Sequence, residues 1–141
     1  MKKLLITALL LSSSLLTFSQ CKSFTKKNCL PALQPFISNG QMNAAKLAPG
    51  ESAELQISFS KGLKYRLLLC TSDFLGEVEM IILDQNKNKL FNDQVEKNTS
   101  FWDFKAEASQ VLTIQVKAPE NTSENELMGL GCVTIMSGFQ E

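Results

Sequence analysis

The side chains able to do chemistry in this 141-residue chain are defined first by a gap, because it contains no histidine. That excludes Ser-His-Asp and Cys-His arrangements, His-ligated zinc or haem, and the commonest general base near neutral pH. Carboxylates are what remain for acid–base work. Glu77 and Glu79 stand two apart, so on a strand they share a face, as a glycosidase pair would need. Neighbouring acids on a solvated strand edge also discourage aggregation, and that is the reading adopted. The chain is read as non-catalytic, not an enzyme, and needing no cofactor.

Three other constellations can be weighed the same way. Asp84-x-Asn86-x-Asn88 spaces three oxygen-bearing side chains as a calcium loop does, but Lys87 and Lys89 interleave and the usual glycine and later glutamate are missing. An Asn-rich hairpin turn is the expectation, with no metal. Phe101-Trp102-Asp103-Phe104 holds the sole tryptophan. On a strand, Trp102 and Phe104 share one face and Phe101 and Asp103 the other. Trp102 and Phe104 are expected in the core, while Trp102, Phe101 and Arg66 are the candidates for stacking on a sugar or anchoring a partner. Tyr65 alternates in phase with Leu63, Leu67 and Leu69 toward the core, leaving Arg66, the only arginine, outward as a solvated charge.

Cys21, Cys29, Cys70 and Cys132 form an even set, and no spacing matches Cys-x-x-Cys. In an exported chain they read as a disulfide framework rather than a redox or zinc site. Three pairings are possible. The preferred one joins Cys21 to Cys29 as a local loop and Cys70 to Cys132 as a staple between strands, worth on the order of 4 kcal/mol by chain entropy.

Export is the expectation from the start of the chain. Lys2 and Lys3 precede an apolar run from Leu4 to Leu16, too short to span a bilayer at roughly 20 residues but suited to a signal peptide. The small residues Thr17 and Ser19 place cleavage before Gln20. A lipoprotein signal ending at Cys21 is the minority alternative, since Phe18 and Gln20 occupy positions where aliphatic and small residues are wanted. Cleavage would leave 122 residues, enough for one core, with no transmembrane anchor. It would also leave 14 acidic residues against 12 basic ones, a net charge of −2 that makes no case for nucleic acid.

The elements that must position these residues are short and alternating. Residues 20–39 are irregular, with Thr25 as a cap for a short helix limited by Pro31 and Pro35. From 40 to 141 strands are expected at Ala53–Phe59, Leu63–Leu67, Glu77–Leu83, Lys89–Phe91, Ser100–Ala106, Gln110–Ala118 and Gly131–Phe139. The first two read as a hairpin about Lys61-Gly62. The consecutive apolar residues Met80 to Leu83 read as a central strand covered on both faces. Seven to nine such strands make an all-β fold, an antiparallel, jelly-roll-like β-sandwich. Signal peptide (1–19), N-terminal segment (20–39) and sandwich (40–141) complete the expected organisation.

Leu47-Ala48-Pro49-Gly50-Glu51, Leu63-Lys64-Tyr65-Arg66-Leu67 and Val78–Asp84 with its polar turn, in that order, resemble exported β-sandwich modules of the bacterial pre-peptidase C-terminal type and the similar GOLD-like sandwiches. The resemblance covers roughly Gly40 to Phe139. It implies an accessory unit that binds carbohydrate or protein. The TFSQ ending and the closing Gly131-Cys132-Val133-Thr134-Ile135 look like those of small exported proteins of Bacteroidota. Together these imply a periplasmic or secreted binding or structural module whose partner is an extracellular or periplasmic protein or glycan.

Overall fold

Alternation of apolar residues at every second position gives strands with one wet and one dry face, and two dry faces must meet. A computed structural model, which describes residues 17–95, 99–120 and 130–141, shows this arrangement. The apolar run from Leu4 to Leu16 and most of the polar loop at 119–125 lie outside the described residues. Among those described are a short helix α1 (Thr17–Phe24) and nine strands: β1 (Ile37–Ser38), β2 (Asn43–Leu47), β3 (Ser52–Phe59), β4 (Lys64–Thr71), β5 (Val78–Leu83), β6 (Lys89–Val95), β7 (Thr99–Lys105), β8 (Gln110–Lys117) and β9 (Gly131–Gln140). No helix among the described residues is long and apolar enough to cross a membrane.

The strands form two antiparallel sheets. Sheet A has the order β1-β9-β4-β7 with β2 also on β9, and sheet B the order β3-β8-β5-β6. The pairs β2 with β9, β3 with β8, β4 with β7 and β5 with β6 are those of one long hairpin whose tip is the Asp84–Asn88 turn. Successive pairs alternate between sheets, so the hairpin is rolled into a double-sheet jelly roll. The dry faces supply Leu67, Leu69, Val78, Met80, Ile82, Leu112, Ile114, Val116 and Ile135 to the core.

The rolled topology corrects two expectations. β3 and β4 are not a hairpin: their partners are β8 and β7, and the chain crosses from sheet B to sheet A at Lys61-Gly62. Gly62, at φ +93°, makes this crossing possible; its N–H donates to the Ala106 carbonyl. Phe59 and Tyr65 then enter the core from opposite sheets, edge to face at 4.8 Å, while the Tyr65 hydroxyl accepts from the Ser60 N–H. Nor is β5 covered on both faces. It is central in sheet B, but only Val78, Met80 and Ile82 are buried, and Glu79, Ile81 and Leu83 face outward.

A third layer lies on the outer face of sheet A. After α1 the chain makes a π-helical turn (Thr25–Cys29) and a 3₁₀ turn (Leu30–Leu33) that opens with Pro31 in its first turn. This strap buries Cys29 and Leu33 against Leu68 and Cys70 of β4 and Met136 of β9, with Phe24, Ala32, Phe36 and Met42 around them. Thr25 is not a helix cap. It is fully buried, and its hydroxyl bonds to the Cys21 carbonyl at 2.8 Å and to the Thr134 hydroxyl of β9 at 2.7 Å. Gly138 on β9 is where the strap comes closest: a Cβ there would stand 2.8 Å from Phe36 Cβ and 3.0 Å from Leu33 Cγ.

The disulfides follow from this layer and not from sequence proximity. Cys21 is bonded to Cys132 of β9 and Cys29 to Cys70 of β4, with Cα separations of 5.5 and 5.7 Å. The expected Cys21–Cys29 and Cys70–Cys132 pairings are therefore overturned. Cys70 and Cys132 lie on the outward face of sheet A, where each meets a cysteine of the strap.

Candidate functional site

The residues singled out for binding separate onto opposite faces of sheet A. Trp102 and Phe104 project from β7 to the core side, where Trp102 stacks on Phe104 at 4.3 Å and on Phe91 of β6 at 5.8 Å. Phe104 also meets Phe59 and Tyr65, so the edge of the core is an aromatic cluster. Phe101 lies on the outer face and is 52% exposed. Trp102 and Phe101 therefore do not make one platform.

Phe101 instead meets Arg66. The guanidinium lies 4.1 Å from the Phe101 ring centroid and 4.6 Å from that of Phe36, held between β7 and the strap. Its Nε and Nη2 donate to the two carboxylate oxygens of Asp103, each at 2.7 Å, and Nη1 donates to the Gln34 carbonyl at 2.9 Å. The expectation of a freely solvated Arg66 is corrected, since its side chain is only 12% exposed. The forked bond to Asp103 outweighs partial burial and holds the guanidinium pKa above its ordinary value. Chemically this arrangement is a clasp between strap and sheet. Arg66 Cζ already has an aromatic ring close by from each side.

The Asp84–Asn88 turn is closed on itself. Asp84 Oδ1 accepts from the N–H groups of Asn86 and Asn88, and Oδ2 accepts from the Asn88 side-chain amide at 2.9 Å. These bonds, the Asn88 side-chain amide foremost, hold the Asp84 carboxyl below the usual carboxylate range. Asn88 is turned toward Asp84 as a donor, and Lys87 takes φ +65° at the tip. This is the geometry of an Asx-type hairpin turn.

What the sequence reading passed over is the outer face of sheet B. Register places Ser52, Lys117 and Glu79 in one row, Glu54, Gln115 and Ile81 in the next, and Gln56, Thr113 and Leu83 in a third. Gln115 Nε2 donates to Glu54 at 2.7 Å. Two shallow clefts run across these rows. One of about 350 Å³ is lined by Glu54, Glu79, Gln115 and Lys117 together with the apolar Ala53, Ile81 and Val116, and one of about 400 Å³ by Gln56, Thr113, Asp84 and Lys87 together with Val111. Glu79 joins the first cleft, whereas Glu77 is exposed just before β5 begins. The signal that could have found this face is the outward residues of three strands, mostly amide, hydroxyl or charged beside Ile81, Leu83 and Val111, once the strands are known to be neighbours.

Comparison with known proteins bears on the fold. No family model matches the chain, and no curated protein matches it. Among solved structures it is similar to the pre-peptidase C-terminal domain of collagenase from Bacillus anthracis, with a TM-score of 0.54 and 11% identity over 72% of this chain and 89% of that one. A de novo designed double-stranded β-helix is matched more loosely, at a TM-score of 0.38 and 15% identity over 71% of this chain and 99% of the design. At such identity the likeness to the collagenase domain is one of fold, and at that level it agrees with the resemblance drawn from the sequence.

Proposed function

We propose that this chain is an exported, non-catalytic module that binds or structures a protein or glycan outside the cytoplasm, with the outer face of sheet B as its working surface. One observation carries the reading: a disulfide-tied strap crosses the outer face of sheet A over β4 and β9, whereas nothing among the described residues crosses that of sheet B, a mixed polar and apolar surface with two clefts. Sheet A keeps the exposed Phe101 and a cleft of about 400 Å³ at the strap's rim, between Phe24, Asn28, Cys70 and Asp73. Two disulfides support an oxidising compartment, periplasmic or extracellular. The Cys21–Cys132 bond occupies the thiol that a lipid anchor would need, which supports cleavage before Gln20. The TFSQ ending and closing strand support an origin among exported proteins of Bacteroidota, and the GOLD-like scheme remains a further likeness. The fold shared with the collagenase domain supports an accessory role.

Hydroxyl-radical footprinting of the exported protein in its native extracellular setting, against the purified protein, tests this. Protection of peptides carrying residues 52–58, 79–83 and 111–117 is the expected result. Equal labelling in both samples, or protection confined to sheet A, overturns the assignment of the face. Intact mass on the same material reports the cut before Gln20, pyroglutamate and both disulfides.

A further inference from the structure

Edge strands decide what a β-sandwich can add to itself, because each offers a row of unpaired N–H and C=O groups. Among the described residues the sheets end in β1, β2, β6, β7 and β3. Four of these are blunted. β1 has two residues, β2 has five and carries Lys46, and β7 carries Asp103 and Lys105. β6 carries Lys89 and Asp93, and its register with β5 breaks between Ile82 and Leu83.

β3 carries the fewest of these devices. It has eight residues in unbroken register with β8, no proline and no lysine. Its only charge, Glu54, is drawn toward the neighbouring strand by Gln115. Beside this edge, between β2 and β3, lies an open apolar cleft of about 240 Å³ lined by Ala44, Ala45, Ala53, Leu55, Val116 and Ile135. An edge left this bare is a ready template for pairing with another strand.

The strand is also complementary to itself. A two-fold axis perpendicular to the sheet keeps inner faces with inner faces, so only registers that oppose like-facing residues are allowed. Centred on Gln56, antiparallel pairing sets Leu55 against Ile57, Ala53 against Phe59, Glu54 against Ser58, and Gln56 against its own copy. Apolar meets apolar, no carboxylate meets a carboxylate, and the two Gln56 amides each hold a donor and an acceptor.

We propose that β3 is a self-association edge: two copies pair antiparallel through β3 about Gln56, fusing their sheets B edge to edge. The pairing also brings two copies of the apolar cleft beside the axis. It places two open outer faces of sheet B side by side, although the pairing itself does not depend on what that face binds.

Sedimentation equilibrium of the disulfide-intact protein tests this, taken to about 0.5 mM because a single strand pair is a small interface. The expected result is a reversible monomer–dimer equilibrium. Gln56→Lys sets two like charges opposite each other on an exposed position and is expected to weaken dimerisation by about tenfold or more, with an unchanged circular dichroism spectrum. In Gln56→Cys the two thiols lie across the axis, and mild oxidation is expected to give a covalent dimer. A protein monomeric throughout the range overturns the proposal. So does a dimer that is indifferent to Gln56→Lys and does not cross-link in Gln56→Cys, since it would use another surface.

Discussion

The outer faces of the two sheets have opposite fates, and their residues explain why. On sheet A the outward positions of β4 and β9 beneath the strap are Leu68, Cys70, Thr134, Met136 and Gly138, apolar or small, with Arg66 at the strap's end, and a strap of irregular chain is bolted across them. On sheet B the outward positions of β3, β8 and β5 are mainly Glu54, Gln56, Thr113, Gln115, Lys117 and Glu79, and although Thr113 is buried among its neighbours, no layer like the strap lies across them among the described residues. Strand alternation is lost where a third layer exists and kept where it does not. The lesson is that the apolar run Leu67 to Cys70 of β4 does have a cover, which need not be another sheet or a helix of regular length, whereas the run Met80 to Leu83 of β5 has none on its outer side among the described residues.

The sharpest way to break this contrast is to release the strap. Replacing Cys21 and Cys132 by serine removes a bond across a separation of 111 residues, and replacing Cys29 and Cys70 removes one across 41. Chain entropy assigns each on the order of 4 kcal/mol, less than additively because the second loop lies inside the first. Calorimetry should show the quadruple variant least stable, with dye binding at the uncovered Leu68 and Met136. A variant that melts with the parent would show that the strap contributes nothing. Next in size, Leu68→Ala under the strap should cost about 2–5 kcal/mol in urea unfolding. Ile81→Ala, half-exposed on sheet B, should cost about 1 kcal/mol or less. Equal costs would erase the distinction between the faces.

Arg66→Lys sharpens the picture at the strap's far end. Lysine keeps the charge but loses the fork to Asp103 and the guanidinium's contacts with the Phe36 and Phe101 rings, so a loss of about 1–2 kcal/mol is expected, with faster amide exchange at residues 34–38. Recovery to the level of the parent by lysine would make the clasp a simple charge contact. The smallest effect belongs to Asp84. Its folded pKa is depressed, so its contribution is complete above the unfolded aspartate value of about 3.9 and is lost as the pH falls through the lowered folded value. Amide exchange at Asn86 and Asn88 should rise only in that acid range, and Asp84→Asn should abolish the pH dependence.

Most strands were legible because period two is a local property. Ala53–Phe59 and Gln110–Ala118 alternate cleanly and became β3 and β8 within a residue at each end. Partners were not legible. Lys61-Gly62 looks the same whether it closes a hairpin or carries the chain to the other sheet, and only the pairing of β4 with β7 distinguishes them. β1 and β2 escaped notice because the first has only two residues and the second, Asn43–Leu47, is largely exposed and has two alanines, so neither has the hydrophobic contrast that marks a buried strand. At the candidate site, the sequence singled out Trp102, Phe101 and Arg66 by residue type, whereas the open face of sheet B is assembled from residues up to 65 positions apart and becomes a surface only by register.

The sequence by itself therefore determined the all-β class, the turns at Gly62 and Asp84–Asn88, the core-facing phase of Tyr65, Trp102 and Phe104, and the absence of histidine chemistry. Each depends on residues close in the chain or on composition alone. Tertiary structure decided which cysteines meet, that Arg66 is clasped and not free, and which of two sheet faces stays open. These depend on where the chain from α1 through the strap to Phe36 comes to lie. It lies across β4 and β9 because they alone offer it an apolar outer face and two thiols.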